Sequence, residues 1–249
     1  WVQLEVEEEE VGTAMILHIE PRSNYLHRQS PRHKHQHHIV ASNLDQSMLI
    51  VTVKNPKTST GFMDRCLVAS EMYHVPSLIV CNKADVYGPK ELAIFEEWVR
   101  VYSGAGYPVL LVSAESGQGM EALQESLRGK TTLVTGHSGV GKSTLLNQFL
   151  PGLNRRTQDV SAWSGKGLHT TTFAEMFELP GGGKIIDTPG MREFGLVNLE
   201  RAELSHYFPE MRRLLHGCQF NNCLHLNEPD CAVKSAVRDG AIDEKRYLS

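Results

Sequence analysis

Short apolar runs alternate with segments that carry apolar residues at helical spacing from about residue 48 onward. The runs are bounded by turn-forming residues and predict strands, and the longer segments between them predict helices. This alternation indicates an α/β fold in which a parallel sheet is covered by helices on both faces. The predicted strands are residues 48–53, 77–81, 108–112, 131–135 and 183–187, and the predicted helices are residues 59–73, 89–102, 118–127 and 142–149.

The two ends of the chain follow a different pattern. Apolar and polar residues alternate before residue 42, which predicts the strands of a small β-domain. The chain begins at Trp1 inside a predicted strand, so we expect the natural N-terminus to lie upstream. After about residue 200, helical segments lead into a cluster of cysteine and histidine. We therefore predict three parts, at residues 1–42, 43–200 and 201–249.

Composition narrows the class of protein only a little. The net charge of -4 and the hydrophobic content of 41% suit a soluble globular protein and argue against a uniformly basic coat for nucleic acid. No apolar run could cross a bilayer and nothing resembles a signal peptide, so we expect a cytoplasmic protein without membrane contact. We also expect the protein to be a monomer. The stretch from His27 to His38 is rich in histidine and arginine, and predicts either a solvated loop or an RNA-backbone contact.

The segment GHSGVGKS at residues 136–143 matches the phosphate-binding pattern G-x-x-x-x-G-K-[ST]. A predicted strand precedes it and a predicted helix follows, as the pattern requires; the alternative is a glycine-rich turn without a ligand. Glycines let backbone N–H groups face phosphate oxygens, and the helix start adds a positive dipole end. Lys142 is predicted to reach the β- and γ-phosphates as a catalytic cation, and Ser143 to bind Mg²⁺. The predicted phosphate-binding residues are Gly136, His137, Ser138, Gly139, Val140, Gly141, Lys142, Ser143 and Thr144.

Two later segments are predicted to sense a γ-phosphate. Asp187 follows a predicted strand in the sequence DTPG and is expected to hold Mg²⁺ through water, while Gly190 offers a backbone N–H to the γ-phosphate. Taken alone, DTPG predicts only a turn. The segment GLHTTTF contains consecutive threonines, of which Thr171, with Thr170 as the alternative, is expected to complete the Mg²⁺ ligands while a γ-phosphate is present.

The segment NKAD at residues 82–85 is predicted to recognise guanine. A carboxylate at Asp85 matches the N1–H and 2-amino donors of guanine, and adenine has no such pair, so a carboxylate left unpaired would exclude ATP. We expect the asparagine to hydrogen-bond further polar atoms at the edge of the base and the aliphatic part of the lysine to cover the base. A backbone N–H after strand 108–112 is expected to reach the guanine oxygen. The predicted base-binding residues are Asn82, Lys83, Asp85, Ser113 and Ala114.

Three of the five cysteines and one histidine near the C-terminus have the spacing C-x4-C-x-H-x5-C. Three thiolates and one imidazole fill a tetrahedral zinc shell without an open position, which favours one structural Zn²⁺; the alternative is loose thiols in a small domain. The odd cysteine count also favours a reducing compartment over disulfides. Cys66 and Cys81 lie in apolar patterns and are predicted core residues. The predicted zinc ligands are Cys218, Cys223, His225 and Cys231.

The order of the motifs is permuted, because the base reader precedes the phosphate loop. All five elements of a Ras-like GTPase occur, and the chain resembles the circularly permuted GTPases. With a β-domain before these elements and the Cys/His cluster after them, it resembles the ribosome small-subunit-dependent GTPases, the RsgA or YjeQ family. The resemblance is carried by NKAD, GHSGVGKS, KGLHTTTF, DTPGMREFG and the Cys/Cys/His/Cys group.

The resemblance implies an α/β fold with a circularly permuted Ras-like P-loop GTPase core, a partial N-terminal OB-fold and a C-terminal zinc-binding domain. It also implies GTP hydrolysis to GDP in late maturation of the bacterial 30S subunit. That subunit would stimulate hydrolysis, and the nucleotide state would control binding to the 30S subunit and its 16S rRNA. A different class is a GTP-gated RNA-binding factor in which hydrolysis only times release. A zinc-stabilised scaffold with a degenerate nucleotide site is disfavoured because Lys142, Ser143, Asp187 and Asp85 are intact.

The catalytic water has no obvious partner in the second switch. In Ras a glutamine after the DxxG motif positions this water, and here the residue is Met191, which predicts slow intrinsic turnover. His169 lies just before the threonines and is the candidate catalytic residue that replaces the glutamine. The alternative is a switch-loop histidine that contacts RNA or nothing.

Overall fold

The computed structural model of the chain describes residues 1–6, 13–29, 37–150, 174–188 and 199–248. Within this part of the chain, a central sheet carries helices on both faces, with two β-hairpins before it and a small helical region after it. The predicted strands and helices of the core are present, with boundaries shifted by a few residues. No helix of the described ranges is both long enough and apolar enough to span a membrane.

The central sheet contains six strands: β5 (Gln46–Val51), β6 (Ser77–Cys81), β7 (Val109–Leu111), β8 (Thr131–Thr135), β9 (Glu175–Glu178) and β10 (Lys184–Asp187). Their order across the sheet is β7-β6-β5-β8-β10-β9. All neighbouring pairs are parallel except β9 with β10. The five predicted strands are thus parallel to one another, as expected, and the antiparallel edge strand β9 is an addition that was not predicted. A short turn through Gly182 and Gly183, both with positive φ, joins β9 to β10, and so short a connection permits only antiparallel pairing.

Four helices cover the sheet, and the strand residues alternate between them. They are α1 (Thr60–Met72), α2 (Pro89–Ala105), α3 (Met120–Leu127) and α4 (Lys142–Phe149). Leu49 and Val51 of β5 pack towards α1 and α2, whereas Met48 and Ile50 pack towards α3 and α4. Cys66 and Cys81 belong to the first of these cores, which confirms their prediction as core residues.

Two hairpins precede the core: β1 (Val2–Val6) with β2 (Ala14–Ile19), and β3 (Tyr25–Gln29) with β4 (His37–Ser42). The second hairpin packs on the core, because Leu26 and Ala41 share a buried cluster with Leu133 of β8. Nε2 of His27 lies 2.8 Å from the Tyr73 hydroxyl oxygen, within hydrogen-bond distance. Residues 30–36 of the basic stretch lie outside the described part of the chain, so its role stays a prediction.

The C-terminal region consists of short elements and packs against α1. They are 3₁₀ turns at Arg201–Tyr207 and Leu215–Gly217 and the helices α5 (Pro209–Arg212), α6 (Ala232–Arg238) and α7 (Glu244–Tyr247). Phe208, Val233 and Ile242 form a small core together with Val68 of α1. Helix α6 begins directly after Cys231, the last residue of the cysteine and histidine cluster.

A buried arginine connects the C-terminal region to the core. Arg246 of α7 is 2% exposed; its Nη1 donates to Asp64 Oδ1 of α1 at 2.5 Å and its Nε donates to Glu210 Oε1 at 2.8 Å. The Tyr102 hydroxyl also donates to Asp64 Oδ1, at 2.9 Å, and the Phe208 ring lies 4.6 Å from the guanidinium carbon. Burial opposes the charge, but Glu210 and Asp64 outweigh it and raise the pKa of Arg246.

Replacing Arg246 by methionine is expected to lower the free energy of unfolding by about 3–5 kcal/mol, because two carboxylates would then stay buried without their cation. Lys245→Met is the matched control on the same helix, since the Lys245–Glu97 pair lies at the surface. Urea denaturation followed by tryptophan fluorescence measures both variants. Equal, small losses of unfolding free energy in the two variants would show that the contacts of Arg246 with Asp64 and Glu210 contribute little to stability.

Candidate functional site

Five strands end at one edge of the sheet. The strands β5, β6, β7, β8 and β10 are parallel, so the segments that follow them all emerge from the same edge. Strands β6 and β7, which follow β5 in the sequence, lie on one side of it, and the later strands β8, β9 and β10 lie on its other side. Ligands of open α/β sheets bind at such a reversal of strand order, beyond the carboxyl ends. The sheet therefore places the candidate site beyond β5 and β8.

The phosphate loop follows β8 and leads directly into α4, as its sequence pattern predicts. Gly136 has φ 141° and its Cα lies so close to the carbonyl of Ile50 that a Cβ would clash. Gly141 has φ 93° and a Cβ there would collide with the side chain of Asn82. Only glycine combines these backbone angles with such close approaches. The two glycines therefore bring the loop against β5 and against the NKAD segment.

Lys142 is the first residue of α4, and its side chain reaches back to the start of the phosphate loop. Its Nζ donates to the carbonyl oxygens of Gly136 at 2.5 Å and of His137 at 2.9 Å. Burial lowers the pKa of Lys142, and the nearby Asp187 carboxylate opposes this shift. Burial likewise raises the pKa of Asp187, opposed by the Thr188 N–H and by Lys142. The ammonium group and the carboxylate thus influence each other electrostatically, and they are the groups that the sequence predicts to contact phosphate and Mg²⁺.

Asn82 connects the base-reading segment to both neighbouring loops. The residue is 2% exposed, its Nδ2 donates to Val140 O of the phosphate loop at 3.0 Å, and its Oδ1 accepts from Ala114 N at 3.1 Å. In this structure the Ala114 N–H is bonded to Asn82. The predicted contact of a backbone N–H of Ser113 and Ala114 with the guanine oxygen stays a prediction. Three segments far apart in sequence are held together by one side chain.

Asp85 lines a cavity of about 180 Å³ between these loops. The Ser113 hydroxyl donates to Asp85 Oδ1 at 2.5 Å, and the Ser116 N–H donates to the Ser113 oxygen at 3.0 Å. Ser113 therefore orients the carboxylate. The cavity is lined by Asn82, Lys83, Asp85, Ala114, Glu115, Gly141 and Thr144.

Most of the predicted nucleotide residues meet at this edge, and the structure adds some that the sequence analysis missed. His169, Thr170, Thr171 and Gly190 lie outside the described residues, so their roles stay predictions. Among the missed residues, Glu115 lines the cavity and the Tyr87 hydroxyl donates to Asn82 O at 2.5 Å. The loop after β5, residues 52–58, also touches the phosphate loop; the turn-forming Asn-Pro pair within it was the available signal.

The four predicted zinc ligands converge in the C-terminal region. Their ligand atoms all lie within 4.8 Å of one another. Cys218 Sγ is 4.0 Å from Cys231 Sγ and 3.6 Å from His225 Nδ1. Zinc–sulfur bonds of about 2.3 Å in a tetrahedron separate two sulfurs by roughly 3.8 Å. The donor set and its spacing therefore fit a tetrahedral metal ion bound through Nδ1 of the histidine.

The surrounding residues hold the histidine in place. The Tyr247 hydroxyl of α7 donates to His225 O at 2.5 Å. The Glu228 carboxylate accepts from the backbone N–H groups of Leu224 and Leu226, on either side of the histidine. Burial lowers the pKa of His225, which favours the neutral imidazole that a metal ion requires.

A phosphate loop preceded along the chain by an NKAD segment, on one parallel sheet edge, defines the class of circularly permuted P-loop GTPases. The chain belongs to the RsgA GTPase family, whose model matches residues 19–197. A small ribosomal subunit biogenesis GTPase RsgA of Bacteroides fragilis is 50% identical over 96% of this chain and 77% of its own length. A relative of the same name from Phocaeicola vulgatus is 45% identical over 100% of this chain and 80% of its own length.

Two solved structures share the fold. The crystal structure of YjeQ from Thermotoga maritima has a TM-score of 0.80 and 37% sequence identity, and the match covers 99% of this chain and 79% of that one. The crystal structure of YloQ, a circularly permuted GTPase, has a TM-score of 0.78 and 30% identity, covering 99% of this chain and 75% of that one. The permuted order of the core, first indicated by the sequence motifs, is thereby confirmed.

Asp85→Asn is expected to change the preferred base from guanine to xanthine. Xanthine carries an oxygen where guanine carries the 2-amino group, so it needs a donor there, and an amide supplies one while a carboxylate does not. We expect the ratio of GDP to xanthosine diphosphate affinity to fall by at least about 100-fold, measured by competition with a fluorescent GDP analogue.

Glu115→Gln is the matched control, because Glu115 lines the same cavity but is not part of the NKAD segment. This variant is expected to keep the guanine preference. An Asp85→Asn protein that still prefers GDP as strongly as the unmodified chain would show that another group recognises the base.

Proposed function

We propose that this protein hydrolyses GTP during late maturation of the bacterial small ribosomal subunit. In this proposal the 30S subunit stimulates hydrolysis, and the nucleotide state controls binding to the subunit and its 16S rRNA and release from it. The relatives' name, small ribosomal subunit biogenesis GTPase, supports the choice of partner. Membership of the RsgA GTPase family supports the reaction.

The observation that carries the proposal is the pair of hydrogen bonds made by the Asn82 side chain. By bonding to Val140 O and to Ala114 N, it holds the base cavity and the phosphate loop next to each other. One ligand that has both a purine base and a phosphate chain would occupy both sites. The carboxylate of Asp85 in the cavity favours guanine over adenine, so GTP and GDP fit this arrangement best.

The residues of the nucleotide site have different roles in the proposed hydrolysis of GTP. Lys142 and the backbone N–H groups of the phosphate loop stabilise the charge that develops on the phosphates as water attacks the γ-phosphorus. Ser143, Thr171 and Asp187 are the proposed Mg²⁺ ligands. When bound, Mg²⁺ neutralises charge on the β- and γ-oxygens. His169 is proposed to position the water, since Met191 offers no useful hydrogen bond, and Gly190 to contact the γ-phosphate.

The remaining parts of the chain have structural and binding roles in this proposal. The Cys₃His cluster holds one structural Zn²⁺, because four protein ligands leave no coordination position for a substrate. Residues 1–42 are part of an OB-fold, residues 43–200 the GTPase domain and residues 201–249 the zinc-binding domain. We propose that the protein works in the cytoplasm as a monomer.

GTP turnover with purified ribosomal subunits tests the proposal. We expect slow release of phosphate by the protein alone, strong stimulation by 30S subunits and none by 50S subunits. Lys142→Ala is the control for contaminating GTPases and should be inactive under all conditions. Rapid turnover without subunits, or equal stimulation by the two subunits, would contradict the proposal.

His169→Ala belongs in the same experiment. If the histidine positions the attacking water, the variant should bind GTP normally and lose most of the turnover stimulated by 30S subunits. Unchanged stimulated turnover would remove His169 from the mechanism while leaving the proposed partner intact.

A further inference from the structure

The loop between β5 and α1 is a closed turn whose two ends are buried. Thr58 N donates to Thr52 O at 2.9 Å, and Thr52 N donates back to Thr58 Oγ1 at 3.0 Å. The hydroxyl of Thr52 donates to Pro56 O at 2.5 Å. Thr52 is 0% exposed and Thr58 is 2% exposed. Because both ends of the loop are tied to each other and buried, the loop presents a firm surface to whatever it touches.

This turn contacts the phosphate loop and the base-reading segment. Thr58 Oγ1 lies 2.7 Å from Nε2 of His137, the second residue of the phosphate loop. A Cβ on Gly139 would lie 3.3 Å from Pro56, so the proline packs directly against the loop backbone. On the other side, Lys83 Nζ donates to Asn55 O at 2.5 Å. The turn therefore abuts both halves of the nucleotide site.

The direction of the Thr58–His137 hydrogen bond follows from the other contacts of the two groups. Thr58 Oγ1 already accepts from Thr52 N, so its own hydrogen is available to His137 Nε2. The imidazole then carries its hydrogen on Nδ1, which lies 3.1 Å from the acceptor Ser138 O. The Phe62 ring meets the imidazole edge-on at 5.3 Å. These contacts fix both the tautomer and the plane of the His137 ring.

We propose that Thr58 is a positioning residue for GTP binding and hydrolysis, acting through His137. The backbone carbonyl of His137 accepts a hydrogen bond from Lys142 Nζ, so the placement of His137 also affects the proposed catalytic lysine. By fixing the imidazole, Thr58 keeps the loop backbone in the shape in which its N–H groups face phosphate oxygens. This inference rests on the proposed function and concerns the phosphate half of the site, not the base half.

Thr58→Val and Thr58→Ser are a matched pair, because serine keeps the hydroxyl and valine replaces it with a methyl group. Valine removes both hydrogen bonds of the Thr58 hydroxyl, the one to His137 and the one from Thr52 N. We expect Thr58→Val to weaken GDP binding by about 5-fold, the effect of losing the contact with His137. Binding of guanosine, which has no phosphates, should stay within about twofold. Thr58→Ser should bind both ligands as the unmodified chain does. Competition with a fluorescent GDP analogue measures all of these affinities.

His137→Phe gives a second, independent test, because it keeps an aromatic ring next to Phe62 but removes Nε2 on a partly exposed side chain. It should weaken GDP binding as much as Thr58→Val, and the double variant should be no weaker than either one. The inference therefore remains testable even if Thr58→Val fails to fold.

Unchanged GDP affinity in His137→Phe, or an equal loss of GDP and guanosine affinity in Thr58→Val, would overturn the inference. So would a Thr58→Ser variant that is as weak as Thr58→Val. Failure of the unmodified chain to bind GDP would instead overturn the proposed function, and this inference with it. The two failures are thus distinguished by the unmodified protein.

Discussion

The side chain of Asn82 makes the two hydrogen bonds on which the nucleotide site depends. It joins Val140, 58 residues away in the chain, to Ala114, which follows a different strand. A buried amide that loses a partner costs about 1–3 kcal/mol, so the three loops favour one common arrangement. The order of the segments along the chain is unimportant as long as the carboxyl ends of their strands meet at one edge. A permuted chain can therefore build the site of an unpermuted one.

Helix α1 links this site to the C-terminal region. At its beginning, Phe62 packs on His137 of the phosphate loop, and two residues later Asp64 binds Arg246 of α7. The next residue of α7, Tyr247, holds the backbone of the metal-site histidine. Helix α7 thus contacts both the GTPase core and the candidate metal centre. The C-terminal region is therefore held on the core by buried, specific contacts as well as by the chain connection.

The local features of the structure could be predicted from the sequence, because each depends on a short pattern of neighbouring residues. Apolar runs indicated the parallel strands, glycine spacing indicated the phosphate loop, and cysteine spacing indicated the metal cluster. Contacts between distant residues could not be predicted in the same way: Arg246 and Asp64 are 182 positions apart, and a lone arginine near the end of a chain suggests a solvated charge. Thr58 was missed for the same reason, since only the folded sheet brings it to His137. Strand β9 was missed because its residues are mostly exposed and lack an apolar run.

The central claim is that the NKAD segment and the phosphate loop, held together by Asn82, form one guanine-nucleotide site. Calorimetric titration of the unmodified protein with GDP and with ADP tests this claim most directly. The account predicts one bound GDP per chain and binding of ADP weaker by a factor on the order of 10⁴, because the Asp85 carboxylate would face a base without matching donors. Equal affinities for the two nucleotides, or no binding of GDP, would contradict it.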